Sequence, residues 1–356
     1  MSKQLSIVCF FLLLHCCVKS FAQQATPVYD TLKIGGIRQV VSYTGSPERP
    51  VLLFLHGGPG SSRMRQAELF TSELSKHFMV VQWDQRDAGR TLALNKSPLP
   101  ITLERMEEDT YEVVLALLKK FNKPKLYLAG ESWGTVPGFK MAASYPELLY
   151  AYLAFSPVIN QEESERMLID TLKAATRTDK IAQGELHKVK IPFENAEQVF
   201  YSRKWMFHHD GLTFKEGEIK EVKKYLEDWA AVWLPTWNAA MRRNLFQTLP
   251  EVKCPVYFFI GQKDLQTNHG IATAYYEQLK APAKRLYAFP DAGHSVLVEK
   301  ADEVQKIIIE EVQGGARALP ITCIPLPEEH FMLIAYERQI ILPVGNRLPV
   351  IAGLLQ

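Results

Sequence analysis

The chain lacks an excess of charge of either sign. Lys and Arg number 41 against 39 Asp and Glu, a formal net charge of +2. So even a balance gives no basic surface for nucleic acid or an anionic membrane. Cysteine is also scarce. Of the five cysteines, Cys9, Cys16 and Cys17 fall in the N-terminal segment, which excludes a disulfide-dense scaffold. Cys254 and Cys323 remain, and pairing between them cannot be read from sequence. Cys254 opens an expected buried strand and reads as a small apolar residue. No apolar run is long enough to span a bilayer comfortably. Walker loops, dinucleotide fingerprints and metal-ligand spacings are all missing, so no cofactor or metal is expected. His208-His209-Asp210 is the nearest approach to a metal cluster and reads as solvated surface.

What is present begins with a leader. Lys3 is followed by an apolar run from Leu5 to Val18 and then by Ser20-Phe21-Ala22. A basic start, a short apolar core and small residues two apart describe a signal peptide, residues 1–22, cut after Ala22. An uncleaved apolar helix or a lipid anchor at Cys16 are the alternatives. Cleavage removes Lys3 and Lys19 and no acid, leaving 39 of the 41 basic residues against 39 acids. The mature protein is expected outside the cell or in the periplasm.

Behind the leader, residues 27–48 alternate apolar and polar around Gly35-Gly36, the pattern of a β-hairpin. Short apolar runs follow at Val51 to Leu55, Phe78 to Trp83, Leu126 to Ala129, Tyr150 to Phe155, Val256 to Ile260 and Arg285 to Phe289. Runs of this length suit strands buried on both faces of a parallel sheet. Helical spacing separates them, as over Leu103 to Phe121 and Val298 to Val312. The alternation predicts an α/β fold with a mostly parallel, doubly wound sheet. Residues 160–247 break it. They are helical in pattern and carry Trp205, Trp229, Trp233 and Trp237, which predicts a helical cap inserted between core segments 27–159 and 248–312. The Trp stripe reads as ordinary core, part of which is placed to line a pocket. Residues 313–356, apolar and proline-rich, form an extension of unknown role.

Gly130-Glu131-Ser132-Trp133-Gly134 carries the chemistry. The G-x-S-x-G pattern is common by chance, but here a buried strand runs into it and a helix runs out, which is the context of a nucleophile elbow. A serine hydroxyl needs a base. In this arrangement the order is Ser, acid, His. His294, in the turn after Arg285 to Phe289, fits that order, and Asp264 follows the strand before it. Asp291 competes but shares the loop of His294 and is too near in sequence to reach round the ring. His56-Gly57-Gly58-Pro59-Gly60 follows an early strand. Its glycines let the backbone approach a substrate carbonyl, so Gly58 and Trp133 are the expected oxyanion-hole donors.

Three segments together resemble the prolyl iminopeptidase branch of the α/β-hydrolases. They are His56-Gly57-Gly58-Pro59-Gly60, Trp83-Asp84-Gln85-Arg86-Asp87-Ala88-Gly89-Arg90 and Gly130-Glu131-Ser132-Trp133-Gly134. The resemblance spans roughly residues 30 to 312. It implies an α/β-hydrolase fold with a helical cap, and release of an N-terminal proline or similar residue from a peptide. The family commonly has Gly where this chain has Glu131 and Asp87, and Trp-Glu in the cap where this chain has Trp233-Leu234. Glu131 and Trp233 are therefore candidates for substrate contact. A carboxylesterase or lactonase, and a ligand-binding protein on a hydrolase scaffold, are the competing readings. The expected partner is a small molecule or short peptide, and the oligomeric state is left open.

Overall fold

The structure is a computed structural model and describes residues 26–98 and 100–314. The expected leader over residues 1–22 and residues 315–356, Cys323 among them, lie outside the described residues.

Eight strands form one sheet. They are β1 (Val28–Ile34), β2 (Ile37–Thr44), β3 (Val51–Leu55), β4 (Met79–Asp84), β5 (Leu126–Glu131), β6 (Leu149–Phe155), β7 (Val256–Gly261) and β8 (Lys284–Phe289). Their order is β1-β2-β4-β3-β5-β6-β7-β8. β1 and β2 make the antiparallel hairpin at one edge, and β2 also runs antiparallel to β4. All further pairings are parallel. Every residue of β3, β4 and β5 is buried, as continuous apolar runs require of a sheet covered on both faces.

The covering helices are α1 (Ala67–Thr71), α2 (Gly89–Leu94), α3 (Leu103–Phe121) and α4 (Thr135–Ser144). α3 begins where the Thr102 hydroxyl accepts from the Arg105 N–H and ends at Asn122 in the left-handed region, a usual stop for a helix. One face of the sheet packs on Val113, Val114, Leu117 and Phe139, the other on Phe70, Val296, Leu297 and Val304. Cys254 sits in the first of these clusters as a buried thiol, pushed up to about 12 by burial.

Between β6 and β7 the chain is helical: α5 (Gln161–Ala175), α6 (Lys180–Leu186), α7 (Ala196–His209), α8 (Glu216–Met241) and α9 (Leu245–Thr248). The ends of this insertion are stapled by an antiparallel bridge between Asn160 and Asn244. Trp229, Trp233 and Trp237, spaced four apart on α8, share one apolar cluster with Trp133, whereas Trp205 belongs to a separate cluster. The chain closes with α10 (His269–Gln278), α11 (Val296–Glu299) and α12 (Ala301–Ile307). The expected helix from Val298 to Val312 is thus broken at Lys300 and ends in a wider turn over Ile308–Gln313. No helix among the described residues is long and apolar enough to cross a membrane.

Candidate active site

β5 delivers Ser132 into a tight turn ahead of α4. Ser132 has φ +50°, a left-handed conformation that costs a non-glycine residue energy and marks a strained site. The flanking glycines are obligatory. A Cβ on Gly130 would lie 2.6 Å from the Gly134 carbonyl oxygen, and one on Gly134 would overlap the Leu55 carbonyl oxygen at the end of β3. The Thr135 hydroxyl donates to the Ser132 carbonyl at 2.6 Å and accepts from the Val158 N–H at 2.9 Å. That ties the turn to the start of the helical insertion.

The loops after β7 and β8 bring the other two residues. His294 Nε2 lies 3.0 Å from Ser132 Oγ, and Nδ1 lies 2.8 Å from Asp264 Oδ2. Asp264 is buried. Burial pulls its carboxyl upward, but the charge of His294 and hydrogen bonds from His294 and Thr267 outweigh that, and its pKa ends below the ordinary carboxylate value. Its Oδ1 accepts from the Gln266 N–H at 2.8 Å and the Thr267 N–H at 3.1 Å, and its Oδ2 from the Thr267 hydroxyl at 2.7 Å. Four donors therefore fix the carboxylate, ring included. The His294 loop is held by Ser156, whose hydroxyl donates to the His294 carbonyl at 2.7 Å, and by Glu299, which accepts from the Gly293 and Ser295 N–H groups. Asp291 is exposed and pairs with Lys300, away from the ring.

The 56–60 loop lies directly against the serine. A Cβ on Gly57 would sit 3.3 Å from Ser132 Cβ. Gly58 has φ +115° and Gly60 φ +85°, conformations that favour glycine. Three side chains bind this loop to its neighbours. Fully buried His56 approaches the Gly57 carbonyl through Nδ1 at 2.8 Å and accepts from the Gln85 N–H at Nε2, 3.2 Å. Gln85 donates to the His56 carbonyl at 3.0 Å and accepts from the Trp133 indole at 3.1 Å. From the insertion, the Trp229 indole donates to the Pro59 carbonyl at 2.9 Å. Burial drives His56 down to about 4, so it is neutral at physiological pH.

The remaining residues of the second motif are structural. Trp83 donates to Gln39 at 3.0 Å. Arg86 grips buried Asp109 through Nε and Nη2 at 2.8 and 3.0 Å. Asp84 accepts from the Arg90 N–H, and burial raises its carboxyl to about 6. Asp87 explains its own departure from glycine. It has φ +49°, and its carboxylate accepts from the Ser97 N–H at 2.7 Å; aspartate is among the few residues that tolerate this conformation.

Two sequence expectations need correction. Glu131 does not present a carboxylate to substrate: Arg63 takes both oxygens, through Nε at 2.9 Å and Nη2 at 2.6 Å, in a pair that is 5% exposed on each side. A buried carboxylate needs such a partner. Trp233 is buried and packs its ring edge on Trp133, centroids 6.2 Å apart, where an added Cβ on Gly60 would press on its indole. It is a wall behind the loop. Sequence reading missed Arg63, Ser156, Gln266 and Thr267, and left Gln85 in its motif without a role. The only available signal was that Gln85 and Thr267 follow buried strands next to residues already singled out.

The strained serine, the ring it faces and the sheet that carries both define the class: a serine hydrolase of the α/β-hydrolase fold. Comparison agrees. The model of the alpha/beta hydrolase fold matches residues 50–301, and the chain belongs to that family. Over 298 residues it is 28% identical to a probable aminopeptidase, YbaC, of Bacillus subtilis, covering 78% of this chain and 94% of that one. A proline iminopeptidase of Heyndrickxia coagulans is 22% identical over 73% of this chain and 88% of its own length. Among solved structures, proline iminopeptidase from Mycobacterium smegmatis superposes with a TM-score of 0.59 at 17% identity, over 82% of this chain and 99% of that one.

Proposed function

We propose that the protein hydrolyses small peptides as an aminopeptidase, through an acyl-enzyme on Ser132. The observation that carries this reading is His294 standing between the Asp264 carboxylate and the Ser132 hydroxyl, at 2.8 and 3.0 Å. Ser132 Oγ attacks the substrate carbonyl while Nε2 takes its proton. Asp264 holds the ring and stabilises its charged form. The N–H groups of Gly58 and Trp133, with the N-terminus of α4 behind, receive the negative charge that develops on the carbonyl oxygen. His294 returns the proton to the leaving amine, and water then releases the acyl group by the same steps in reverse. The aminopeptidase relatives support the substrate class. The leader at residues 1–22 supports a secreted or periplasmic site of action, which a mature N-terminus at Gln23 would establish.

One observation favours a second reading. Two buried carboxylates near the site, Glu131 and Glu165, are each matched by an arginine, Arg63 and Arg203. Neither is left to meet a substrate ammonium, and an ester substrate has none. A panel of aminoacyl-4-nitroanilides, proline included, and simple acyl esters, run with wild type and Ser132→Ala, decides between them. Anilide turnover lost in the variant is expected. Ester turnover without any aminoacyl turnover makes the protein an esterase, and ligand binding without fluorophosphonate labelling of Ser132 makes it a binding protein.

A further inference from the structure

Gln266 lies two residues past Asp264 and is 3% exposed. Its side-chain Nε2 is 3.4 Å from His294 Nε2. That ring nitrogen has a single lone pair when neutral, and the Ser132 hydroxyl stands closer to it, at 3.0 Å. The other end of the amide, Oε1, is buried with no hydrogen-bond partner. Both ends of a buried amide are thus poorly matched, where most buried polar groups find partners. The backbone of the same residue is firmly held. Its N–H donates to Asp264 at 2.8 Å, and its carbonyl accepts from Gln161 of α5 at 2.8 Å. The loop is fixed and only the amide plane is left to turn.

The two ends of that amide exchange places by a half-turn about one bond. With His294 neutral, the N–H end faces a lone pair. After Ser132 gives up its proton, Nε2 carries a hydrogen and the N–H end opposes it. A half-turn then puts Oε1 against the ring and supplies the partner each lacked. We propose that Gln266 is a positioning residue, whose amide turns with the charge of His294 and holds the imidazolium aligned between taking the Ser132 proton and delivering it to the leaving group. The inference rests on the acyl-enzyme reading above. The proton moves from Ser132 Oγ to Nε2 and on to the leaving group, and the amide gains and loses none.

Several charged groups surround the ring. Asp264 bonds Nδ1. On the ring's own loop Glu299 binds backbone N–H groups and Asp291 pairs with Lys300. The Arg63–Glu131 pair adjoins Ser132, and the Arg203–Glu165 pair lies beyond Gln161.

The test uses Gln266→Met and Gln266→Glu in the full mature protein, with ester and anilide turnover followed across the range where histidine titrates. The Met variant is expected to lower kcat about tenfold with KM near wild type, which is the loss of one good hydrogen bond in the transition state. The Glu variant is expected to move the acidic limb of the kcat/KM profile up by about one pH unit, since a carboxylate favours the charged ring. A side chain at 266 that does not face the ring would leave that limb in place, and a merely structural role would not give the Met variant's split of kcat from KM. If the Met variant fails to fold, the limb of the Glu variant decides. Wild-type kcat in Met, or an unmoved limb in Glu, overturns the proposal. Fluorophosphonate labelling separates the two levels: a wild type labelled at Ser132 with unchanged Gln266 variants sinks only this inference. A wild type that never labels sinks the acyl-enzyme reading and this one with it.

Discussion

Two loops meet Ser132, and each brings a histidine from the end of a strand, His56 buried and His294 partly exposed. The loop after β8 brings His294, whose ring nitrogens face a carboxylate and a hydroxyl. The loop after β3 brings His56, whose ring nitrogens face backbone groups, the Gly57 carbonyl and the Gln85 N–H. The same side chain at the same rim of the sheet has opposite chemistry. Backbone partners never change their charge, and burial outweighs the smaller upward pull of the Gly57 carbonyl and of Glu131, so His56 is held neutral, at about 4. In the proposed mechanism a carboxylate at Nδ1 instead compensates the cation formed when Nε2 takes the Ser132 proton. On the proposed mechanism one loop carries the ring that takes up a proton, and the other keeps its shape.

The largest test of that contrast is Asp264→Asn. Asparagine keeps the size of the side chain but offers Nδ1 either an N–H or a neutral oxygen. Nothing then favours the tautomer that leaves Nε2 as acceptor, and nothing stabilises the imidazolium. kcat/KM at neutral pH is expected to fall by about 10⁴ with the fold intact, measured by steady-state kinetics beside a thermal melt. A loss under tenfold would mean that the carboxylate is only a structural anchor, as the backbone is for His56.

His56→Gln probes the other side. Glutamine is able to donate to the Gly57 carbonyl and accept from Gln85, but it does not titrate. The folded pKa of His56 is depressed from 6.5 to about 4. The unfolded chain therefore binds a proton at higher pH than the native one, and the native state loses stability as pH falls through this window. The contribution is whole above pH ~6.5 and gone below about 4, a difference of about 3 kcal/mol at 1.36 kcal/mol per pKa unit. Urea melts should show the gap between wild type and variant closing by about that amount on acidification. The folded variant should keep most of its turnover. A gap independent of pH would show that His56 is not held neutral.

How far the sequence foretold these loops depends on how local the determinants are. Strand positions were legible because runs buried on both faces are continuous, and Val51 to Leu55 matches its strand end to end. Ser132, Asp264 and His294 were legible because each follows such a run, and chain order restricts which residues meet. The direction of a side chain was not. Glu131 read as a spare charge because Arg63, its partner, lies 68 residues earlier. The triplet Asp84-Gln85-Arg86 was visible as a motif without a role, since its partners Trp133, Asp109 and Gly35 come from other elements. The Trp stripe of the insertion read as core, and it is. That one of its indoles reaches the Pro59 carbonyl follows only from how α8 lies on the loop.

That last contact gives the smallest and most discriminating change. Trp229→Phe removes the indole N–H together with part of the ring, leaving the Pro59 carbonyl buried without its donor, a loss of about 1–2 kcal/mol from the missing bond alone. Trp205→Phe is the matched control. Its indole donates to Glu185 at 2.7 Å within a different apolar cluster, so it should lose a similar amount in a urea melt. The two variants differ in what the lost bond was holding. Pro59 follows Gly58, the proposed oxyanion donor, and displacing a donor by a fraction of an ångström weakens stabilisation of the transition state while leaving ground-state binding little changed. Trp229→Phe should therefore lower kcat severalfold with KM unchanged, while Trp205→Phe leaves both alone. Equal kinetics in the two would mean that the loop keeps its shape without the insertion, and that His56 and Gln85 suffice to hold it.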